Sequence, residues 1–386
     1  MLDAVETAVN RPSDPSRDAR EHVPLRAAVE ALPPYVPGAR PAAGERLWKL
    51  SSNENPYGPL PSVVAAIAEA AADANRYPDM YASELVEALA AHVGVLPEQV
   101  VVGNGSVAVL AHILAAVVDA GDEVVYPWRS FEAYPIAVSV AGGRSVMVPL
   151  ARDGRLDLPA MAAAVTPRTR VLLVCTPNNP TGPAVHADEL DALLAAVPSD
   201  VLVVVDEAYL EFVRDPQAPG AAADARGAGA VDVLRRHGNV VLLRTLSKAY
   251  GLAGLRVGYA VAPARIADGI RAVSTPFGVS HVAQQAALAS LRPQAQAELL
   301  ARVDALVAER ERVVAALRAQ GWDLPESQAN FVWFPLGEAT SERAKQARAA
   351  GVLVRPFAGD GLRVSIGERE ANDAFLAVAQ GWLADR

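Results

Sequence analysis

The sequence predicts an α/β fold: a mostly parallel sheet covered by helices on both faces, with a smaller α/β unit after it. Three observations carry that expectation. From about residue 62 to 290, apolar helical stretches alternate with short β-branched runs, the order of strand–helix–strand units. Several of those runs are apolar throughout and do not alternate, as strands read when helices cover both faces. The residues with chemical character recur just after the runs, at the carboxyl ends of strands, where open α/β sheets hold their ligands.

Taken in order, SVVAAIAEAAADA (62–74) and SELVEALAAHV (83–93) read as helices and VVG (101–103) as the first strand. The helix SVAVLAHILAAVVDA (106–120) leads to the strands EVVY (123–126), SVMV (145–148) and RVLLVC (170–175). After the helix DELDALLAAV (188–197) come the strands VLVVVD (201–206), VVLLR (240–244) and VGYAV (257–261). The Ala/Gly-rich stretch 216–230 reads as a surface loop. Residues 292–319 form one long amphipathic pattern, and beyond Gly321 the strands NFVWF, VLVRP and LRVSI alternate with helices at 341–350 and 370–384. The division that follows is a mobile arm over 1–24 and a segment 25–50 joining the smaller unit. A large domain covers 51–290 and a small one 291–386.

Composition narrows the function. A chain of 386 residues with 52% hydrophobic content supports a large core. Asp, Arg, Gly or Pro interrupts every apolar run before it reaches bilayer-spanning length. The opening MLDAVETAVNRPSDPSRDAR has no apolar core of a signal peptide. A net charge of −9 without a basic block argues against nucleic acid and anionic membrane as partners. The single Cys175 excludes an intramolecular disulfide and reads as a buried strand thiol. Six scattered histidines show no metal-ligand spacing. A cytoplasmic, metal-free protein is expected.

Lys248 is the most informative residue. Of 35 basic residues only Lys49, Lys248 and Lys345 are lysines, so a chain that uses arginine for plain charge keeps a lysine in TLSKAYGLAGLR. Unlike arginine, a desolvated lysine can lose its proton and attack a carbonyl. Ser247 precedes it and Arg256 follows as an anion anchor. Asp206 ends an apolar strand and calls for a cationic partner such as a protonated pyridine nitrogen; a helix cap or ion pair is the plainer account. GNGS (103–106) opens a helix whose free N–H groups attract a phosphate. PNNPTG (177–182) offers amide donors to a ring oxygen, and Tyr209 a phenol. Arg363, on the otherwise apolar LRVSI, needs an anion, either a substrate carboxylate or a structural partner. Together these supply what pyridoxal 5′-phosphate requires: an imine-forming amine, an acid for the pyridinium, donors for the phenolate and phosphate anchors.

In order, SSNENPYGPLP, NRYPD, GNGS, PNNPTG, DEAYLEF, RTLSKAYGLAGLRVGYA, SQANFVW and LRVSIG resemble the fold-type I pyridoxal-phosphate aminotransferases, in their histidinol-phosphate aminotransferase-like branch. The resemblance covers the chain from about residue 25 to its end. It implies Lys248 as Schiff-base lysine and proton shuttle, and Asp206 on the pyridine nitrogen. It implies Asn179 and Tyr209 on the ring hydroxyl and Phe131 stacked on the ring. Ser106, the Val107 amide, Thr245, Ser247 and Arg256 would hold the phosphate. Tyr77 would reach the phosphate of a neighbouring subunit, which implies a homodimer. Arg363 would take the α-carboxylate, with Tyr35, Asn53 and Arg355 on the substrate side.

Two departures bear on the substrate. Val107-Ala108 replaces the acidic pair usual in histidinol-phosphate aminotransferases, and WRSFEAYP (128–135) replaces a PTFSMY-like segment. Both resemble the aromatic amino acid (phenylalanine) aminotransferases of the branch. The expectation is therefore ping-pong transamination of phenylalanine, tyrosine or tryptophan with 2-oxoglutarate through an imine at Lys248, with histidinol phosphate as the alternative donor. A lyase or decarboxylase of this fold would use the same residues.

Overall fold

In the computed structural model, residues 24–32, 44–45, 47–220 and 229–384 are described. The chain divides into two units, Met1–Pro34 and Tyr35–Arg386. Of the first, the described residues hold one short helix, Ala27–Glu30. The expected arm over 1–24 lies, but for Pro24, outside the described residues.

The second unit is organised by a seven-stranded sheet. Its strands are β2 (Val100–Gly103), β3 (Glu123–Trp128), β4 (Arg144–Pro149), β5 (Thr169–Cys175), β6 (Leu202–Asp206), β7 (Val240–Thr245) and β8 (Gly258–Val261), in the order β2-β8-β7-β6-β5-β3-β4. Pairing is parallel from β7 to β4 and antiparallel between β8 and both its neighbours. The run VGYAV thus departs from a wholly parallel reading: it folds back along β7 and is inserted between β2 and β7.

The continuous apolar runs have the expected cause. Along β5, β6 and β7, odd and even residues feed two separate cores. Leu172, Val174, Val203, Val205, Val240 and Leu242 pack into one, and Val171, Leu173, Leu202, Val204, Val241 and Leu243 into the other. With helices covering both faces, a period-2 polar pattern has no solvent side to mark. Only the edge strand β4 is largely exposed.

The predicted helices form with shifted ends. Pro61 sits at the first position of Pro61–Ala70, followed by a 3₁₀ turn over Ala71–Asp73. The long amphipathic pattern is one helix, Pro293–Gln320. Pro293 starts it, where the missing N–H costs nothing, and Gly321 ends it at φ +100°.

The carboxyl-terminal strands β9 (Phe331–Phe334), β11 (Arg355–Phe357) and β12 (Gly361–Ser365) form an antiparallel sheet in the order β11-β12-β9. The run VLVRP does not form one strand. Its start is β10 (Val352–Leu353), paired in parallel with β1 (Trp48–Lys49), while Arg355 begins β11. Segment 216–230, read as a surface loop, is described only towards its ends. Residues 221–228 lie outside the described residues, but Ala218 and Ala230 at its ends are buried. The Ala230 N–H donates to Glu207 at 2.7 Å, and Glu207 accepts from Arg244 Nε at 2.8 Å.

Candidate active site

A cavity of about 290 Å³ opens where β5, β6 and β7 end, a small but ligand-sized cleft. Every predicted site residue lines it except Tyr77 and Tyr35. Tyr35 lies outside the described residues. Tyr77 is described, 84% exposed, and stacks on Phe277 with ring centroids 4.9 Å apart, outside the cavity.

One end of the cavity is an anion cradle. Gly105, at φ +86°, turns the chain from β2 into the helix Ser106–Val117, whose first N–H groups lack intrahelical partners. A Cβ on Gly105 would overlap the Arg256 guanidinium, and one on Gly258 would overlap the Ser106 backbone nitrogen. Glycine at both positions lets the helix start, β8 and Arg256 converge. Arg256, itself left-handed at φ +59°, donates to Ala253 O at 2.9 Å and reaches Ser247 Oγ at 3.5 Å. Thr245 Oγ1 accepts from the Ser247 N–H at 3.1 Å.

Asp206 lies at the other end, buried at 5% exposure. Its partners are the Tyr134 hydroxyl, donating at 2.7 Å, and the Ala208 N–H, donating at 3.3 Å. Burial raises its pKa to about 6, against the lowering effect of the Tyr134 bond. Tyr134 is a site residue that the sequence did not announce. It lies three residues after Phe131, in the first turn of the helix Ala133–Ala141, and meets that ring edge-on at 5.6 Å. Cys175 also lines the cavity, but burial pushes its thiol up to about 12.

Lys248 projects between these ends. Its amine reaches the carbonyls of Asn53 at 3.3 Å and Ser52 at 3.5 Å, and lies 5.8 Å from the Tyr209 ring centre. Burial, then the neighbouring Arg363 and Arg256, lowers its pKa to about 8, while Glu54 and Asp206 act in the opposite sense. Asn53, left-handed at φ +52°, donates from Nδ2 to Tyr209 Oη at 2.9 Å. Ser365 Oγ accepts from the Asn53 N–H at 2.8 Å and donates to its Oδ1 at 3.0 Å, which fixes the carboxamide. Burial raises the Tyr209 phenol pKa as well.

The remaining wall comes from β11 and β12. Arg355 and Arg363 are directly opposite in the antiparallel register and both are buried. Opposed like charges destabilise a sheet pair unless each has a counter-group. Arg363 donates to Asn179 Oδ1 and, at 3.1 Å, to Ser51 O. Arg355 Nη2 donates to Glu132 Oε2 at 2.6 Å. Ser51, Ser52, Glu132, Ala208, Ala253 and Phe357 complete the lining; none is among the predicted site residues.

The family model described as aminotransferase class I and II matches residues 45–378. An aromatic amino acid aminotransferase from Streptomyces avermitilis is 54% identical over 357 residues, 92% of this chain and 96% of the relative. One from Thermobifida fusca is 53% identical over the same shares. Among solved structures, the histidinol-phosphate aminotransferase of Sinorhizobium meliloti in complex with pyridoxal-5′-phosphate superposes with a TM-score of 0.83 at 28% identity, covering 95% of this chain and 99% of that one.

Proposed function

The chain belongs to the class I and II aminotransferase family, and on that premise we propose that it transaminates aromatic L-amino acids with 2-oxoglutarate, one site serving the two substrates in turn. The observation that carries the reading is the convergence on one cavity of Lys248, Asp206, Arg256 and Arg363, with the apolar side chains of Val107, Phe131 and Phe357 also in its lining. The identity to aromatic amino acid aminotransferases over most of the chain supports the substrate class.

The cofactor is pyridoxal 5′-phosphate, and the donor set fits it: a glycine-lined anion cradle at one end, a buried carboxylate at the other and an amine between. When bound, it accepts the electron pair left at the substrate Cα and carries the amino group from one substrate to the next. Ser106 Oγ, the Val107 N–H, Thr245, Ser247 and Arg256 would hold its phosphate. Asn179, through its amide nitrogen, and Tyr209 would bind the ring hydroxyl, and Phe131 would cover the ring face. Asp206, kept in place by Tyr134, would hold a proton at the pyridine nitrogen. Arg363 would bind the α-carboxylate, exchanging its bonds to the neutral oxygens of Asn179 and Ser51 for a charged partner. Lys248, with its lowered pKa, is suited to take the Cα proton and would return it to the cofactor carbon on the far side of the amino nitrogen.

The reading includes a homodimer. Tyr77 and Phe277 are exposed and in ring contact with one another, and Met80, Tyr81 and Val107 are exposed as well; an exposed aromatic pair of this kind is what a subunit contact would cover. Tyr77 would then serve the partner's phosphate.

Two measurements test the function. Lys248→Ala should retain cofactor and lose turnover; near-normal turnover would refute its role. Initial rates with phenylalanine and with L-histidinol phosphate, each with 2-oxoglutarate, decide the donor. A higher kcat/KM for phenylalanine is expected. The second reading, histidinol phosphate, is favoured by Arg355 in the wall, a cation that a phosphate tail would engage, and a preference for that donor would establish it.

A further inference from the structure

We infer that Glu132 is a specificity-determining residue: its ion pair with Arg355 neutralises the side-chain end of the cavity and sets the balance between uncharged and anionic substrates. The inference rests on the aminotransferase reading above, and deepens it.

Among the described residues, the charged groups lining the cavity are Lys248, Arg256, Arg355, Arg363, Asp206 and Glu132. Arg256 belongs to the anion cradle, Lys248 and Asp206 to the reacting centre, and Arg363 to the α-carboxylate. Arg355 is the cation left over for the substrate side chain. It is anchored opposite Arg363 on the neighbouring strand, so the two guanidinium groups face the same side of the sheet. Both lie close to the Phe357 ring, at 5.5 and 5.7 Å from its centre. Glu132 meets Arg355 from a different element, just ahead of the helix Ala133–Ala141. A second ion pair, Arg129 with Asp360, joins the same two segments beside it. The Glu132 carboxylate is therefore held against the hairpin and is no chance surface contact. Its side chain keeps 30% exposure, against 8% for Arg355, so it can swing towards solvent while Arg355 stays.

The consequence is a graded filter. An aromatic side chain can lie against Phe357 and the guanidinium face with the pair intact. A carboxylate or phosphate tail must displace Glu132, or share the five-donor fork of Arg355 with it and accept like-charge repulsion. A dicarboxylic oxo acid, acting as acceptor, meets the same pair in the other half of the reaction. Glu132 thus weakens binding of the acceptor and of anionic donors while leaving aromatic donors nearly untouched.

Two unreactive ligands on the holoenzyme test this by titration calorimetry: glutarate, with an anionic tail, and 3-phenylpropanoate, with an aromatic one. Glu132→Gln should bind glutarate about tenfold more tightly, equivalent to about 1.4 kcal/mol, and 3-phenylpropanoate within about twofold of the parent. In Glu132→Gln combined with Arg355→Met the glutarate gain should vanish. Glu132→Ala serves as a second variant and should repeat the gain. Equal factors for both ligands, or a gain that survives loss of Arg355, would overturn the inference. If 3-phenylpropanoate fails to bind the parent, the aromatic reading falls, and the glutarate comparison still decides the role of Glu132.

Discussion

The three lysines of the chain make the protonation of Lys248 directly measurable. Burial and the neighbouring Arg363 bring its pKa from the ordinary 10.5 to about 8. At pH 7 the neutral fraction then rises from about one in three thousand to about one in ten, a gain of about 300-fold in free amine. The sign follows from the charge: removal from water and adjacent cations both disfavour the ammonium form, so deprotonation comes at lower pH. Competitive acylation of the cofactor-free protein between pH 6 and 11, with each lysine followed by mass spectrometry, reads this out. Lys345, exposed at 75%, serves as the reference. Lys248 should show a labelling midpoint near pH 8, and Arg363→Met should move it upward. If Lys248 titrates together with Lys345, the wall does not desolvate the amine and the reasoning fails.

Tyr134→Phe removes a donor to a buried carboxylate, worth about 1.5–3 kcal/mol, so Asp206 should become harder to ionise, with a pKa above the present value of about 6. Pyridoxal phosphate should dissociate at least about tenfold more readily, with the deficit widening as pH falls, measured by absorbance titration; a pH-independent affinity would count against the pairing. Glu207→Gln breaks an ion pair with Arg244 in which both side chains are buried; unfolding free energy should fall by about 3–5 kcal/mol, visible as a lower guanidinium midpoint. Gly258→Ala places a methyl group against the Ser106 nitrogen. It should weaken pyridoxal phosphate far more than pyridoxal, and equal weakening of both would show that the cradle is not the phosphate site.

How far the site was legible follows from how local each signal is. Lys248 is conspicuous by scarcity, Asp206 by ending an apolar run and Ser106 by following two glycines, so each declares itself within a few residues. Glu132 and Tyr134 do not. Their partners are 223 and 72 residues away, and neither glutamate nor tyrosine is unusual at the start of a helix. The direction of β8 was equally silent, since a four-residue run buried on both faces reads the same either way along the chain. VLVRP misled because one β-branched run is shared by two sheets, which only the pairing of Val352 with Trp48 reveals. Tyr77, which the resemblance assigns to the phosphate of a neighbouring subunit, lies outside the cavity of its own chain.

The reversed strand has a consequence for how the reactive amine is measured off from the anion cradle. β7 and β8 pair at Thr245 and Gly258, and the Leu246 N–H donates to Val257 O at 3.0 Å. The segment carrying Lys248 and Arg256 is therefore a closed loop with both ends clamped, and its length sets the spacing between the amine and the guanidinium. A residue inserted between Lys248 and Arg256 would change that spacing and also disturb Ala249 or Leu252, which the same loop buries in the core. The loop therefore couples the position of the amine to the packing of the core, and its length can change neither without the other.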